Sequence, residues 1–304
     1  MASRKMPRIT NLWSKVVDGD NGEWLSKVVI ESTEAYASAV AEKAGEKVVV
    51  EGNGVIVNMP EGIIEVNDGL VKTIEIKQTA GESARVEITS EHPAEFRLAA
   101  AEGIPSRIEV FLDRSSVINL FSGKKIVVDP GHGGEDTGGK GPVNLLEKNV
   151  VVFVAGFLKD MLQRAGAEVT LTRNGDENVP KEKRFDMTRK LGADVYIGIH
   201  TFDCADCTAG GAATLYAPGN GQSLELACLV QEALIKKVKV RDRGTAEQAG
   251  LAPLAGSPAI EVEVVAITNW VEEGLLRSPT VHKKAAEGIF NGLRKYFART
   301  GQKK

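Results

Sequence analysis

Lys125-Ile-Val-Val-Asp-Pro-Gly-His-Gly-Gly134 decides how the longer part of this chain folds. Lys125 to Val128 reads as a short buried strand. The glycines after it let the backbone turn sharply and approach a bound group closely. Outward from there, strand and helix patterns alternate. Further strands are predicted at Ala167 to Thr172, Val195 to Ile199, Ala213 to Tyr216 and Ala259 to Val264. One helix is predicted from about Lys148 to Ala165, with Val151, Val154, Leu158 and Leu162 on one stripe and Gly166 as its stop. Others run from Ser223 to about Val238 and onward from Pro279, the last with Ala286, Ile289, Phe290, Leu293 and Phe297 facing inward. Such alternation predicts an α/β fold, a mostly parallel sheet flanked by helices. Sheets of this kind place ligands beyond the carboxyl ends of their strands.

The chain ahead of this region reads differently. Lys27 to Ile30, Lys47 to Val50, Val71 to Ile76, Arg85 to Ile88 and Arg107 to Phe111 are apolar or alternating runs. Turn residues such as Gly52-Asn-Gly54 and Asn67-Asp-Gly69 separate them. Lys27-Val-Val-Ile-Glu-Ser32 is echoed by Arg85-Val-Glu-Ile-Thr-Ser90, which suggests a duplicated unit or chance likeness between β-patterned segments. The expectation is a small all-β sandwich over residues 1–122 and the α/β domain over residues 123–304. Charge divides in the same place. Up to Ser122 there are 13 Lys/Arg and 19 Asp/Glu, whereas the rest carries 25 and 22.

With 304 residues, 42% apolar and 26% charged, the chain is ordinary globular protein rather than disordered, collagenous or coiled-coil. Its longest apolar run, Val150 to Leu158, falls far short of the ~20 residues of a membrane span. A net charge of −3 gives no reason to expect nucleic acid as a partner. Met1 to Pro7 is basic but leads into no apolar stretch, so either the protein works inside the cell or a signal peptide has been removed; Met-Ala-Ser resembles a cloning scar, and removal is the expectation.

Several chemically versatile residues fall on the predicted ligand edge. His132 follows the first α/β strand, His200 follows the third, Glu147 opens the first helix, and Glu261 and Glu263 lie near the end of the last strand. Zinc commonly takes three His or Glu ligands and leaves a fourth position to water, and His132, Glu147 and His200 would supply such a set. A further carboxylate would serve as the proton carrier. The ligand spacings of 15 and 53 residues match no short helical motif, and a His after a strand is more often structural. Glu261 and Glu263 share one face of a strand, so alternation does not separate them.

The segments Ile126-Val-Val-Asp-Pro-Gly-His-Gly-Gly134, Leu146-Glu-Lys148, Leu171-Thr-Arg173, Gly192-Ala-Asp194, Ile197-Gly-Ile-His200, Asp242-Arg-Gly244, Pro258-Ala-Ile-Glu-Val-Glu263 and Leu276-Arg-Ser-Pro279 together resemble the zinc N-acetylmuramoyl-L-alanine amidases. The matches are ordered and spread over Lys124 to Phe297. The resemblance implies one zinc ion per chain held by His132, Glu147 and His200, with Glu263 rather than Glu261 as the catalytic acid/base. It implies a peptidoglycan hydrolase that cuts the amide between N-acetylmuramic acid and L-alanine, working outside the cytoplasm. Some family members carry an inhibitory helix between the second His and the catalytic Glu; here that interval of 63 residues shows no extra insert, so an open site is expected, and a monomer with it. The first part is similar to the AMIN domain, through Ile9-Thr-Asn-Leu12, Gly69-Leu-Val-Lys72 and the internal echo, which implies cell-wall binding. Departures fall on the substrate side. Thr201-Phe202-Asp203 stands where the family usually has a small-polar pair such as Ala-Asn, Ala255 follows Leu254 where Leu-Arg is common, and Val265-Ala266 replaces Gly-Phe. The competing readings are a zinc peptidase or amidohydrolase on another amide, and an inactive wall-binding protein.

Other residues carry bland readings beside sharper ones. Cys204 and Cys207 form C-x-x-C, which could be a redox pair, a zinc site with His200, a local disulfide, or two ordinary loop cysteines. His92 and His282 are expected at the solvated surface. Arg173 and Arg243 could orient substrate or carboxylates, or form structural ion pairs. Trp13, Trp24 and Trp270 could stack on sugars, with core or edge packing the simpler reading.

Overall fold

A computed structural model describes residues 6–36, 38–79 and 81–301. The chain divides into two compact units between Val117 and Ile118. Among the described residues, ten strands make up the first: β1 (Arg8–Asp18), β2 (Trp24–Ser32), β3 (Ser38–Ala44), β4 (Lys47–Asn53), β5 (Ile56–Val57), β6 (Gly62–Glu65), β7 (Val71–Gln78), β8 (Ser83–Ser90), β9 (Phe96–Ala101) and β10 (Ser106–Asp113). They form two five-stranded sheets, ordered β5-β1-β2-β10-β9 and β3-β4-β8-β7-β6. The echoed segments lie in β2 and β8, the central strand of each sheet. Alternation places Ile74 and Ile76 of β7 and Val86 and Ile88 of β8 in the core. Arg114 is wholly buried, 4.1 Å over the Trp24 ring, and donates to Ser26 Oγ and the Asp68 carbonyl. Trp24 is therefore core, as the simpler reading has it.

Helix α1 (Ser115–Phe121) crosses the division. The second unit then runs β11 (Lys125–Pro130), α2 (Glu147–Arg164), β12 (Glu168–Leu171), α3 (Lys181–Leu191), β13 (Val195–Phe202), β14 (Ala212–Tyr216), α4 (Gly221–Val238), β15 (Asp242–Glu247), β16 (Ala259–Ala266), α5 (Trp270–Leu276) and α6 (Pro279–Gly301). Its sheet has the order β12-β11-β13-β16-β14-β15. The first four strands are mutually parallel; β14 runs antiparallel to β16 and carries β15 parallel to itself. The sheet is therefore mixed, with the parallel majority that the sequence predicts. Its central strands are near-continuous apolar runs because they are covered on both faces.

Among the elements of this unit that escape the apolar periodicity are β15 and α3. β15 has the sequence DRGTAE and lies at the sheet edge, where no face demands alternation. Helix α3 buries Arg184, Phe185 and Thr188, so it is anchored largely by a guanidinium rather than by an apolar stripe. His282 corrects a further expectation. It is buried, not solvated: Nε2 meets the Leu276 carbonyl and the ring stacks on Phe153 at 5.6 Å between centroids. Burial holds its pKa below the ordinary histidine value. Its polar neighbours Lys283 and Lys284 are exposed, while His282 itself is buried.

Candidate metal centre

Four parallel strands end at one edge, and the predicted residues gather there. His132, Glu147 and His200 place one ligand atom each within 4.8 Å of one another. Glu147 Oε1 lies 3.3 Å from His132 Nε2 and 3.2 Å from His200 Nδ1. No other group of three His, Cys, Asp or Glu with metal-ligand spacing exists among the described residues.

Local structure explains the convergence. Glu147 is the first residue of α2 and is buried. Two backbone amides, Gly139 N–H and Thr201 N–H, donate to its two oxygens at 2.8 Å. His200 is the sixth residue of β13 and packs against Gly131, where a Cβ would come within 2.2 Å of the ring. Only glycine fits there. His132 has a φ of 61°, a conformation that non-glycine residues rarely adopt. Two buried arginines hold it there. Arg184 Nη2 donates to the His132 carbonyl and Nη1 to that of Pro130, while Arg173 donates to the Pro130 and Gly131 carbonyls. Arg173 therefore serves the backbone of this loop. Buried Asp129 completes the support, accepting from Arg184, Thr172 and Tyr196.

The electrostatics are those of a site built for cations. Burial alone would raise the Glu147 pKa, yet the two imidazoles outweigh it and hold the carboxylate well below its usual range. Burial would lower the His200 pKa, but Glu147, Glu261 and Asp129 together push it up to about 9. His132 is shifted upward as well, against its own burial, by Glu147 and Asp136. A buried carboxylate between two imidazoles, backed by fixed amide donors, is a donor set that fits a divalent ion of the zinc class.

Asp136 was not anticipated. Its two oxygens lie 2.9 and 3.0 Å from His132 Nδ1. A carboxylate there fixes the proton on Nδ1 and leaves the Nε2 lone pair facing Glu147. The signal available was a carboxylate four residues after the histidine of a glycine loop. Glu272 and Glu273 were missed too. Glu273 accepts from Val143 N–H and Leu145 N–H, just ahead of Glu147. Glu272 accepts from Gly211 N–H, just ahead of β14, and from the N–H of Ala266, the last residue of β16.

Glu261 and Glu263 both line the same cleft of about 510 Å³ as the three central residues. Their surroundings differ. Glu263 is the register partner of His200, and its Oε2 accepts from Arg243 Nη1 at 2.6 Å. Burial raises its pKa, against the pull of Arg243. Glu261 pairs one pleat earlier with Gly198, accepts from Gln248 and lies 3.8 Å from Lys181 Nζ. Cys204 and Cys207 are free and join no candidate metal group.

Residues 126–295 match the family Amidase_3, described as N-acetylmuramoyl-L-alanine amidase. The probable cell wall amidase LytH of Staphylococcus epidermidis is 31% identical over 199 residues, covering 64% of this chain and 66% of that protein. The N-acetylmuramoyl-L-alanine amidase AmiA of Escherichia coli K12 is 30% identical over 223 residues, covering 58% of this chain and 77% of that one. The structure of the amidase AmiC2 of Nostoc punctiforme superposes with a TM-score of 0.56 at 27% identity, covering 59% of this chain and 99% of that one. With the family match spanning more than half of its length, this chain belongs to the N-acetylmuramoyl-L-alanine amidase family.

Proposed function

We propose that this chain hydrolyses the amide between N-acetylmuramic acid and the L-alanine of peptidoglycan stem peptides, with His132, Glu147 and His200 holding one zinc ion. The observation that carries this reading is the convergence of those three side chains within 4.8 Å at the carboxyl edge of the sheet. Bound there, a zinc ion would supply Lewis acidity, for water and for the scissile carbonyl.

The residues of the chain supply the rest. Glu263 accepts the proton of the attacking water and passes it to the leaving nitrogen. Its raised pKa suits that double duty, since a carrier works best when its pKa approaches the working pH. Activity should therefore fall toward acid as Glu263 is protonated, at a pH above that of an ordinary glutamate. Asp136 keeps His132 in one tautomer, and the Arg173 and Arg184 contacts keep the loop that carries it in place.

The N-terminal unit is read as an AMIN-like sandwich that grips the cell wall over residues 1–122, with the catalytic domain over residues 123–304. On this reading the protein works outside the cytoplasm, and we propose that it does so as a monomer. Two five-stranded sheets whose central strands, β2 and β8, echo each other and carry buried apolar residues support the sandwich.

The test is a pair of variants. Glu263→Gln should retain stoichiometric zinc and lose about 10²–10⁴-fold in turnover of purified muropeptides. Glu147→Ala should lose the zinc as well. Products with a free lactyl end and a free L-alanine amine mark the amidase. Full activity in Glu263→Gln, alongside a dead Glu261→Gln, would reverse the assignment of the two carboxylates.

A further inference from the structure

Arg243 occupies an irregular point in the sheet. Ala212 pairs with Asp242 and Thr214 with Thr245, so Ala213 alone faces both Arg243 and Gly244. That two-against-one count is a β-bulge, a device that re-aims a side chain. Gly244 has a φ of +77°, which suits the extra residue. Asp242 Oδ1 secures the bulge by accepting from Gly244 N–H at 2.8 Å and from Gln231 Nε2 at 2.6 Å. The side chain so directed reaches Glu263 on β16, and its guanidinium lies 3.3 Å over the Phe202 ring.

Arg243 borders the cleft through Glu263, and the cations that line the cleft itself, Arg184 and Lys181, are committed elsewhere. Arg184 spends its donors on Asp129 and on the Val179, Pro130 and His132 carbonyls. Lys181 faces Glu261. Arg243 differs, because Nη1 alone is engaged and, among the described residues, Nε and Nη2 have no acceptor. Its side chain is half-buried, so those donors are partly desolvated yet reachable. A planar fork with two open donors, braced by a ring and by a bulge, is suited to a carboxylate.

We propose that Arg243 is a specificity-determining residue that binds the free α-carboxylate of the second stem residue of the substrate, a γ-linked D-glutamate. This rests on the amidase reading and deepens it. The carboxylate lies one residue beyond the scissile amide, and Arg243 lies one contact beyond Glu263, the proton carrier at that amide.

Two synthetic muropeptides separate the possibilities, N-acetylmuramoyl-L-Ala-D-Glu and its α-carboxamide counterpart. The zinc-loaded full chain should favour the carboxylate by roughly 10- to 100-fold in kcat/KM, the scale of a charge-assisted hydrogen bond. Arg243→Met should erase that preference by raising KM for the carboxylate substrate, and Arg243→Lys should restore part of it. A uniform fall in kcat on both substrates, with the preference intact, would reduce Arg243 to a positioning residue for Glu263 and overturn the proposal. Calorimetric binding of the two compounds to wild type and Arg243→Met is read alongside. If the wild type cleaves neither compound, the amidase reading fails, whereas equal binding of the two sinks the carboxylate site on its own.

Discussion

Single residues at this centre act through atoms that their spacing in the chain does not reveal. His132 follows a strand that the apolar pattern reveals, His200 lies near the end of another, which runs on to Phe202, and Glu147 opens a helix whose stripe is visible, so all three were legible as members of one edge. The hydrogen bond from His132 Nδ1 to Asp136 was not, because it depends on the path of a glycine loop with His132 itself at a φ of 61°. Asp136 gives a sharp prediction at this scale. Asp136→Asn removes the carboxylate that fixes the tautomer while keeping the volume, and should weaken zinc affinity about 10- to 100-fold. Competition with a chromophoric chelator measures this, and an unchanged affinity would show that Asp136, exposed as it is, contributes nothing to the ligand's orientation.

Among elements, α5 shows where reading by pattern stops. It is a seven-residue helix with Trp270, Val271 and Leu275 exposed, and no apolar stripe announces it. Its work is done by two consecutive buried acids, Glu273 accepting the amides of Val143 and Leu145 and Glu272 those of Gly211 and Ala266. Periodicity reports where apolar surface is buried, so α2, α4 and α6 are visible in sequence while α3, α5 and β15, held by polar contacts, are not. Glu273 tests the claim. Truncation to alanine strands two amide donors, at Val143 and Leu145, and frees Arg277. The cost should be about 2–4 kcal/mol, seen as a Tm lowered by roughly 5–10 °C. A melting curve that matches wild type would mean that the loop ahead of Glu147 holds its shape unaided.

At the scale of the whole molecule, the centre couples the stability of the second unit to pH and to metal, and the signs can be worked out. The His200 pKa is pushed up to about 9 in the folded protein, against an ordinary value of 6.5. The stability it gives the metal-free chain is therefore fully present below 6.5 and is lost as pH rises through about 9, with His132 shifted in the same direction. Glu147, depressed in the fold, contributes above its ordinary value of 4.5 and loses that contribution only in stronger acid. Zinc needs both imidazoles neutral, so below about pH 9 it competes with protons that the carboxylate holds in place. The rise in Tm on adding zinc should therefore grow between about pH 6 and about pH 9, while the metal-free Tm declines over the same range. Differential scanning calorimetry of the full chain reads both trends. The N-terminal unit, with its own buried core and none of the three central residues, supplies a transition that zinc should leave unmoved. A zinc increment that shrinks toward alkaline pH would mean that the imidazoles are not the groups the ion must deprotonate, and the ligand set would have to be redrawn around other side chains of the cleft.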